Sequence, residues 1–337
     1  MREALKARAL ACIDADGAGR DALLRDLAGW QAARIAPYGR LVARARERDP
    51  LDWPALPTDV FRHVRVAAHP EAEDVRVFRT SGTTSGARGV HAVRDLSLYD
   101  RAAERAARIA LFADEGPFDL VVLAPRPEEA PDSSLSYMLG RFEAWFGRTT
   151  RWVFPVDDRL EATLAAVGDA PVALLGTSFA FVHAEDRLGD ARFALPPGSF
   201  AMQTGGFKGR SREVAPDALR RAIATRYGVS EARVVAEYGM TELSSQMYER
   251  LDAATPGRLW IPGWVRATVV DPETLDTVPD GTPGILRLDD VANLDTVAAI
   301  QTADLAVRHE AAIELLGRAP GAVPRGCSLS VEEALGS

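Results

Sequence analysis

The chain has 337 residues, 47% of them hydrophobic, which is enough for one large domain or two ordinary ones around a sizeable core. Forty basic and 48 acidic side chains give a formal net charge of −8, which argues against a nucleic-acid-binding surface. Two cysteines are too few for a disulfide framework, and the segment from Met1 to Asp14 lacks the apolar block of a signal peptide, so we expect a cytoplasmic protein without a membrane span.

The N-terminal part of the chain leads to a run of hydroxyl and glycine residues. Residues 1–48 are predicted to form helices, residues 50–57 a proline-containing connector, and residues 75–78 a short strand. The glycines of the following run allow a close approach of the backbone, and its clustered O–H and N–H donors suit a polyphosphate. It lacks the Gly-Lys-Ser/Thr ending of a P-loop, and by composition alone such a run is more often a solvated loop. Its residues are Ser81, Gly82, Thr83, Thr84, Ser85 and Gly86.

After this run, apolar stretches alternate with helical ones. Asp95 is placed to cap a helix, and the predicted buried strands cover residues 119–124, 171–176, 199–203 and 233–236, with a helix over 217–227. Such alternation predicts an α/β fold with a mostly parallel sheet covered by helices on both faces. Ligands of these sheets bind beyond the carboxyl ends of the strands, where Gly205, Gly206 and Tyr238 fall.

From about residue 257 the pattern changes to turn signals between short apolar segments, which predicts a small antiparallel β-subdomain. We therefore expect three parts: a helical N-terminus with an α/β core over 1–256, the β-subdomain over 257–316, and a hinge-like C-terminal tail over 317–337 that carries Cys327. A capping-box pattern at Ser330 predicts a short helix in this tail. The five histidines show no metal-ligand spacing and are predicted to be ordinary surface or core residues.

Two strings together resemble the adenylate-forming superfamily of acyl-CoA and aryl-CoA ligases, luciferases and adenylation domains. The first is the run from Ser81 to Gly86, and the second is Tyr238-Gly239-Met240-Thr241-Glu242. The first departs from the usual Ser-Gly-Thr-Thr-Gly-x-Pro-Lys-Gly, since Ser85 stands in place of a Gly and Arg88 in place of the Lys. Arginine keeps the charge and adds a bidentate fork for phosphate.

Within that superfamily, the chain is most similar to the acyl-protein synthetase (LuxE-type) branch. The Gly317-Arg318 pair is similar to the family's hinge motif, and the sequence ends at Ser337, a short tail after Arg318. The resemblance therefore implies that the mobile C-terminal domain of the superfamily is absent. The segment from Thr204 to Lys208 and the cysteine near the C-terminus, Cys327, also fit this branch.

The resemblance implies ATP and Mg²⁺ as cofactors and a fatty or aryl carboxylic acid as the substrate, converted to an acyl-AMP. Glu242 is then expected to hold Mg²⁺, Thr241 to bond the α-phosphate, Tyr238 to flank the adenine, and Asp304 to bind the ribose hydroxyls. The remaining nucleotide-binding residues implied are the run Ser81, Gly82, Thr83, Thr84, Ser85 and Gly86, with Arg88, Gly205, Gly206, Gly239 and Arg318.

Two further residues are implied to be catalytic. Lys208, one of two lysines in the chain, is expected to supply the charge that a lysine of the missing domain brings in full-length relatives. Cys327 is expected to take the acyl group from the adenylate as a thioester, because Arg325 and a nearby helix start favour the thiolate. A solvated loop lysine and an inert cysteine are the alternatives. Cys12 lies in an Ala/Leu segment and is predicted to be a core residue.

We expect the first of three functions, and the other two are alternatives to it. The first is an acyl-adenylating enzyme that captures the acyl group on Cys327 for delivery to a partner, such as a reductase protein. The second is a stand-alone ligase that passes an acyl or aryl group to coenzyme A or to a carrier-protein thiol. The third is a catalytically weak acyl- or nucleotide-binding subunit of a complex.

Overall fold

The computed structural model describes residues 1–45, 49–81, 87–113, 116–205, 214–253, 255–319 and 325–336, without the side chains of 325–329. The chain forms two compact units. The first contains Met1–Ala106, Met240–Met247 and Arg258–Ser337, and the second contains Ala107–Gly239 and Tyr248–Gly257.

The described α-helices, in chain order, are α1 (Arg2–Asp14), α2 (Arg20–Ala32), α3 (Ala36–Val42), α4 (Ser97–Ala110), α5 (Ser134–Phe146), α6 (Arg159–Ala165), α7 (Ser178–Leu188), α8 (Pro216–Tyr227) and α9 (Arg325–Leu335). Short 3-10 helical turns lie at Pro50–Asp52, Thr58–Arg62, Glu71–Glu73 and Glu231–Arg233.

The described strands are β1 (Leu56–Pro57), β2 (Arg76–Arg79), β3 (Val90–Val93), β4 (Phe118–Leu123), β5 (Gly147–Trp152), β6 (Val172–Thr177), β7 (Phe200–Thr204), β8 (Val234–Tyr238), β9 (Met247–Tyr248), β10 (Arg258–Trp260), β11 (Val265–Val270), β12 (Gly284–Asp290), β13 (Ala299–His309) and β14 (Ala312–Arg318).

The second unit is built on a parallel sheet with the strand order β8-β7-β6-β4-β5. Successive residues of a strand point to opposite faces of a sheet. Ala201 of β7 packs in a cluster with residues of α6, α7 and α8, whereas its neighbour Phe200 packs edge-on against Phe112 and Phe118, which belong to an aromatic group shared with α5. The predicted parallel sheet with helices on both faces is therefore confirmed.

The sequence prediction missed strand β5. Its sequence, Gly-Arg-Thr-Thr-Arg-Trp, contains four polar residues, and it ends the strand order of the sheet, where β4 is its one partner among the described strands. At the start of α4, Asp95 accepts a hydrogen bond from the Ser97 amide at 2.9 Å, as expected of a cap. The helix buries Ala103 and Ala107 completely.

The first unit contains the antiparallel strand order β11-β12-β13-β14-β10, which includes the predicted hairpins. β1 pairs with β13 in parallel, and β2 and β3 form a separate hairpin. A buried cluster joins α3, β1 and β13 to Ala334 of α9. The Arg40 side chain donates from Nε and Nη2 to the Ala334 carbonyl at 2.8 and 2.5 Å, so the C-terminal end of α9 is fixed to α3.

Helix α9 begins at Arg325, ahead of the predicted start at Ser330. Cys327 therefore lies inside the first turn of this helix rather than before it. Within the described residues, no helix has the length and apolar character needed to cross a membrane.

Candidate functional site

The hydroxyl-rich run lies in the loop of the β2–β3 hairpin, whose ends are closed by two hydrogen bonds. The Thr80 amide donates to the Gly89 carbonyl at 3.0 Å, and the Gly89 amide donates to Thr80 Oγ1 at 2.8 Å. Ser81 is exposed at the start of the loop. The expected phosphate-binding residues Gly82, Thr83, Thr84, Ser85 and Gly86 lie outside the described residues.

The Arg88 guanidinium folds over the end of this loop. Its Nε donates to the Thr80 carbonyl at 2.5 Å and its Nη2 to the Arg79 carbonyl at 3.1 Å. These contacts fix the position of a positive charge beside the loop, which suits an anionic ligand.

The Glu242 carboxylate lies against the same hairpin. Glu242 is 6% exposed. A Cβ added to Gly89 would lie 3.1 Å from Glu242 Oε1 and 3.0 Å from Thr80 Cγ2. A side chain at position 89 would therefore compete with the carboxylate for space. The first unit thus brings Glu242, the last residue of one string, next to Gly89, which follows the other string in the sequence.

The backbone that follows Glu242 is held by buried polar side chains near the end of β12. Asn293 donates from Nδ2 to the Glu242 carbonyl at 2.9 Å, and its Oδ1 accepts from the Ser244 amide at 2.9 Å. Asp290 accepts from the Ser245 amide and hydroxyl at 2.9 and 2.8 Å. Burial raises the pKa of Asp290 to about 6, although these hydrogen bonds partly offset the desolvation.

His91 of β3 holds the residue before Glu242. Its Nδ1 lies 2.7 Å from the Thr241 carbonyl oxygen, and the residue is 4% exposed. Burial lowers the pKa of His91 to about 4, so the ring is neutral at physiological pH. The prediction of an ordinary core or surface histidine missed that its partner is the backbone of Thr241.

Asp304 and Arg318, both implied to contact the ribose, are paired across β13 and β14. Arg318 Nε lies 3.4 Å from Asp304 Oδ1, and the Asp304 amide donates to Thr302 Oγ1 at 3.1 Å. The neighbouring Gly317 has a φ of +111°, a conformation that favours glycine, next to an irregularity in the strand pairing. The proposed hinge pair thus ends a strand.

In the second unit, the carboxyl ends of β7 and β8 carry the remaining described candidates. Gly205 follows β7 with a φ of +73°, and its carbonyl accepts from Ser178 Oγ at 2.7 Å. Tyr238 ends β8 half-buried, and Gly239 after it is exposed. Gly206 and Lys208 lie outside the described residues.

A buried carboxyl that the sequence prediction did not single out lies beside them. Glu237 of β8 accepts a hydrogen bond from the Thr204 hydroxyl, and burial raises the pKa of Glu237 to about 7. Its position immediately before Tyr238 is the signal available in the sequence, but nothing there shows that a glutamate inside a strand is fully enclosed.

The two cysteines differ in their setting. Cys12 is 3% exposed within α1, and burial raises the pKa of its thiol, as expected of a core residue. Cys327 is in the first turn of α9, and its side chain lies outside the described residues.

The described residues of the first unit fit a nucleotide with a divalent cation. A buried carboxylate suits Mg²⁺, and an arginine with a fixed guanidinium suits a phosphate. The sequence prediction missed three residues that contact backbone groups of residues 241–245, namely His91, Asp290 and Asn293. The sequence signal for the last two is the group of five polar residues among residues 289–296, and His91 has no such signal.

Comparisons with known proteins are consistent with this arrangement. A family profile described as acyl-protein synthetase, LuxE, matches residues 46–336. No curated protein sequence matches the chain.

Several solved structures share the fold at low sequence identity. A structure of 2-hydroxyisobutyryl-CoA ligase with 2-HIB-AMP and CoA is 16% identical, with a TM-score of 0.65 over 89% of this chain and 75% of that one. ATP-bound MatB from Rhodopseudomonas palustris is 18% identical, with a TM-score of 0.52 over 74% of this chain and 49% of that one. The amide bond synthetase McbA from Marinactinospora thermotolerans is 17% identical, with a TM-score of 0.53 over 81% and 54%. The chain spans about half the length of MatB, and these likenesses confirm the predicted adenylate-forming fold.

Proposed function

Since the chain belongs to the acyl-protein synthetase (LuxE) family, we propose that it uses ATP to activate a carboxylic acid as an acyl-adenylate. We further propose that it passes the acyl group to Cys327 for delivery to a partner protein. The partner is proposed to be an acyl acceptor of the reductase kind.

The observation that carries the proposal is the position of the Glu242 carboxylate against Gly89, at the end of the β2–β3 hairpin. Glu242 ends one string and Gly89 follows the other, so parts of two strings that resemble nucleotide-binding motifs lie close together in the first unit. Carboxylate and phosphate oxygens are the ligands that Mg²⁺ prefers, so a carboxylate at this position is suited to hold a divalent cation together with bound phosphates.

The residues have distinct proposed roles. The loop hydroxyls and amides bind the phosphates, Arg88 offsets their charge, and Thr241 bonds the α-phosphate. Glu242 holds Mg²⁺, which neutralises phosphate charge when it is bound. Tyr238 and Gly239 contact the adenine, and Asp304 with Arg318 contacts the ribose. Lys208 is proposed to stabilise the charge between the carboxylate and the α-phosphate.

The chemistry has two proposed steps. A carboxylate oxygen of the substrate attacks the α-phosphorus, the bond to the bridging oxygen of the β-phosphate breaks, and pyrophosphate leaves. The Cys327 thiolate then attacks the acyl carbon, and AMP leaves with the electron pair of the acyl–oxygen bond. The position of Cys327 in the first turn of α9 supports this step, because the partial positive charge of a helix N-terminus lowers a thiol pKa.

The test is acid-dependent exchange of labelled pyrophosphate into ATP across a panel of fatty and aryl acids, followed by mass spectrometry of the protein. We expect exchange with at least one acid, and with that acid a hydroxylamine-sensitive acyl adduct on the parent. Cys327→Ser should keep the exchange and lose the adduct, and Cys12→Ser should change neither. An adduct that persists on Cys327→Ser rules out the acyl-enzyme step, and a parent without exchange rules out adenylation.

A second candidate is a ligase that uses the thiol of coenzyme A or a carrier protein as the acceptor. The docking of α9 favours it, since Ala334 is fully buried and its carbonyl is bound by Arg40, which restricts movement of the helix. In this case the parent activates the acid without an adduct, and added coenzyme A or carrier protein accelerates the release of AMP.

A further inference from the structure

The backbone of residues 241–245 depends on side chains from distant parts of the first unit. His91 contacts the Thr241 carbonyl at 2.7 Å, and Asn293 donates to the Glu242 carbonyl at 2.9 Å. Both carbonyls that flank the α-carbon of Glu242 are therefore bound by buried side chains. The direction in which the Glu242 side chain leaves the backbone follows from these two contacts.

The tautomer of His91 follows from its partner. A carbonyl oxygen can only accept a hydrogen bond, so the ring must carry its proton on Nδ1. A neutral imidazole has a single N–H, and in His91 this donor is committed to Thr241. The ring thus donates a hydrogen bond to the Thr241 carbonyl in addition to packing in the core.

Strand β3 links this contact to the hydroxyl-rich loop. His91 lies two residues after Gly89 in the chain, and the Glu242 carboxylate lies close to the α-carbon of Gly89. The same short stretch of chain therefore meets the segment 241–242 twice, once at the backbone through His91 and once at the side chain through Gly89. A small shift of the Thr241 carbonyl would alter both.

We propose that His91 is a positioning residue for acyl-adenylate formation, because its Nδ1–H fixes the peptide that joins Thr241 to Glu242 against Gly89 at the end of the β2–β3 hairpin. It does not contact the substrate in this role. The proposal rests on the proposed function, since Thr241 and Glu242 matter here as ligands of the α-phosphate and of Mg²⁺.

The two amide side chains provide matched variants at position 91. In His91→Asn, the side-chain NH₂ takes approximately the place of Nδ1, so the bond to the Thr241 carbonyl can form. In His91→Gln, the NH₂ takes approximately the place of Nε2 and is aimed elsewhere. The control is His69→Asn, which removes another buried histidine of the same unit whose Nε2 lies 2.9 Å from Asp74.

We expect His91→Asn to keep pyrophosphate exchange within about threefold of the parent, and His91→Gln to lose about 10²-fold in kcat, since a small misplacement of reacting groups has effects of this size. The KM for ATP should change much less than kcat, because the residues proposed to bind the phosphates, adenine and ribose are unchanged in both variants. His69→Asn should keep the parent kcat even if its melting temperature falls.

The proposal is overturned if His91→Asn and His91→Gln lose activity equally, or if His69→Asn loses as much as His91→Gln. A second measurement reads the tautomer in the parent and does not depend on the activity of any variant. Nitrogen-15 NMR of the histidine rings in the parent should show one ring in the Nδ1–H form that resists protonation, and this signal should be missing in His91→Asn.

The two proposals can fail separately. An Nε2–H tautomer for this ring overturns the role of His91 whatever the enzyme does. A parent that gives no exchange with any acid overturns adenylation, and with it the catalytic part of the His91 proposal, while the NMR result still decides whether His91 holds Thr241.

Discussion

At the scale of single residues, the charge of Glu242 is the feature on which the proposed chemistry depends most directly. Glu242→Gln keeps the volume of the side chain and removes the anionic oxygen that a hard cation prefers. We expect Mg²⁺-dependent pyrophosphate exchange to fall by about 10²-fold or more with an unchanged circular dichroism spectrum. Glu161→Gln, an exposed glutamate of α6, is the control and should behave as the parent. Normal exchange in Glu242→Gln rejects the metal role.

Gly89 tests whether the contact between the hairpin and Glu242 matters. In Gly89→Ala the new Cβ would lie 3.0 Å from Thr80 Cγ2 and 3.1 Å from Glu242 Oε1, which is closer than a normal contact of about 3.5–4 Å. The carboxylate must shift, and we expect the exchange rate to fall by about tenfold.

Two variants separate the causes in this experiment. Gly168→Ala adds a methyl group with no atom within 4 Å and should be neutral. Thr80→Ser combined with Gly89→Ala removes the clash with the threonine methyl and leaves the one with Glu242. Full recovery of exchange in the combined variant identifies Thr80, rather than Glu242, as the group that the alanine displaces.

At the scale of secondary-structure elements, the pairing of β13 with β14 brings Asp304 next to Arg318. If Asp304 binds both ribose hydroxyls, Asp304→Ala should weaken ATP binding by roughly 2–4 kcal/mol, measured by calorimetry. Arg318→Ala should cost less than about 1 kcal/mol, because the arginine side chain is 72% exposed. Asp280→Ala, at an exposed turn, is the control. An unchanged dissociation constant in Asp304→Ala contradicts the ribose assignment.

The docking of α9 is a second prediction at this scale. Arg40→Ala removes two hydrogen bonds to the Ala334 carbonyl and should lower the free energy of unfolding by about 1 kcal/mol. Arg44→Ala removes an exposed ion pair to Glu333 at 3.6 Å and should cost about 0–0.5 kcal/mol. Urea unfolding gives both values, and amide hydrogen exchange should speed up in α9 for Arg40→Ala alone. Equal effects of the two variants would mean that Arg40 does not cap the helix.

The elements that the sequence predicts well are those whose pattern reflects burial. β4, β6, β7 and β8 read as apolar runs because both faces of a parallel sheet are covered, and each lies close to its predicted range at both ends. β5 was missed because an edge strand is only half-buried. The two strings at Ser81 and Tyr238 were recognisable because their residue types resemble those of a known family, and not because of a burial pattern.

The supports of the site were not predictable in the same way. Asn293 and His91 contact backbone groups 49 and 150 residues away, and a backbone carbonyl looks the same in every residue. Asp290 and Glu237 are carboxylates inside strands, where alternation alone favours an exposed side chain. Only the fold shows that these groups are enclosed.

At the scale of the whole molecule, buried carboxyls make stability depend on pH. The pKa of Glu237 is raised to about 7 from an ordinary 4.5, so the unfolded chain loses this proton first as the pH rises. Protonated Glu237 therefore stabilises the folded state fully below about pH 4.5. As the pH rises towards 7 this stabilisation is lost, and the free energy of unfolding falls by up to about 3 kcal/mol. Glu237→Gln cannot titrate and can still accept from Thr204.

The measurement is the free energy of unfolding in urea from pH 4.5 to 7.5, as the difference between Glu237→Gln and the parent. The difference is needed because His91, with a pKa lowered to about 4, has the opposite effect on the free energy of unfolding. The stability that neutral His91 contributes is lost as the pH falls below 6.5. We expect the free energy of unfolding of Glu237→Gln to increase relative to that of the parent as the pH rises. Parallel curves for the two proteins would mean that Glu237 is ionised in the folded state.

The path of the chain has a consequence for its synthesis. Residues 240–247 belong to the first unit, although the chain on both sides of them belongs to the second. A nascent chain that has grown as far as Arg250 already contains His91, Thr241 and Glu242, but not Asn293. Asn293 also donates to the Val297 carbonyl at 3.1 Å, so the turn that holds Glu242 is complete at Val297. At about 5–20 residues per second, the ribosome needs roughly 3–11 s to extend the chain from Glu242 to Val297. During this interval residues 238–242 have been synthesised, but the turn that contains Asn293 has not. The proposed capacity to bind ATP should therefore appear only late in translation.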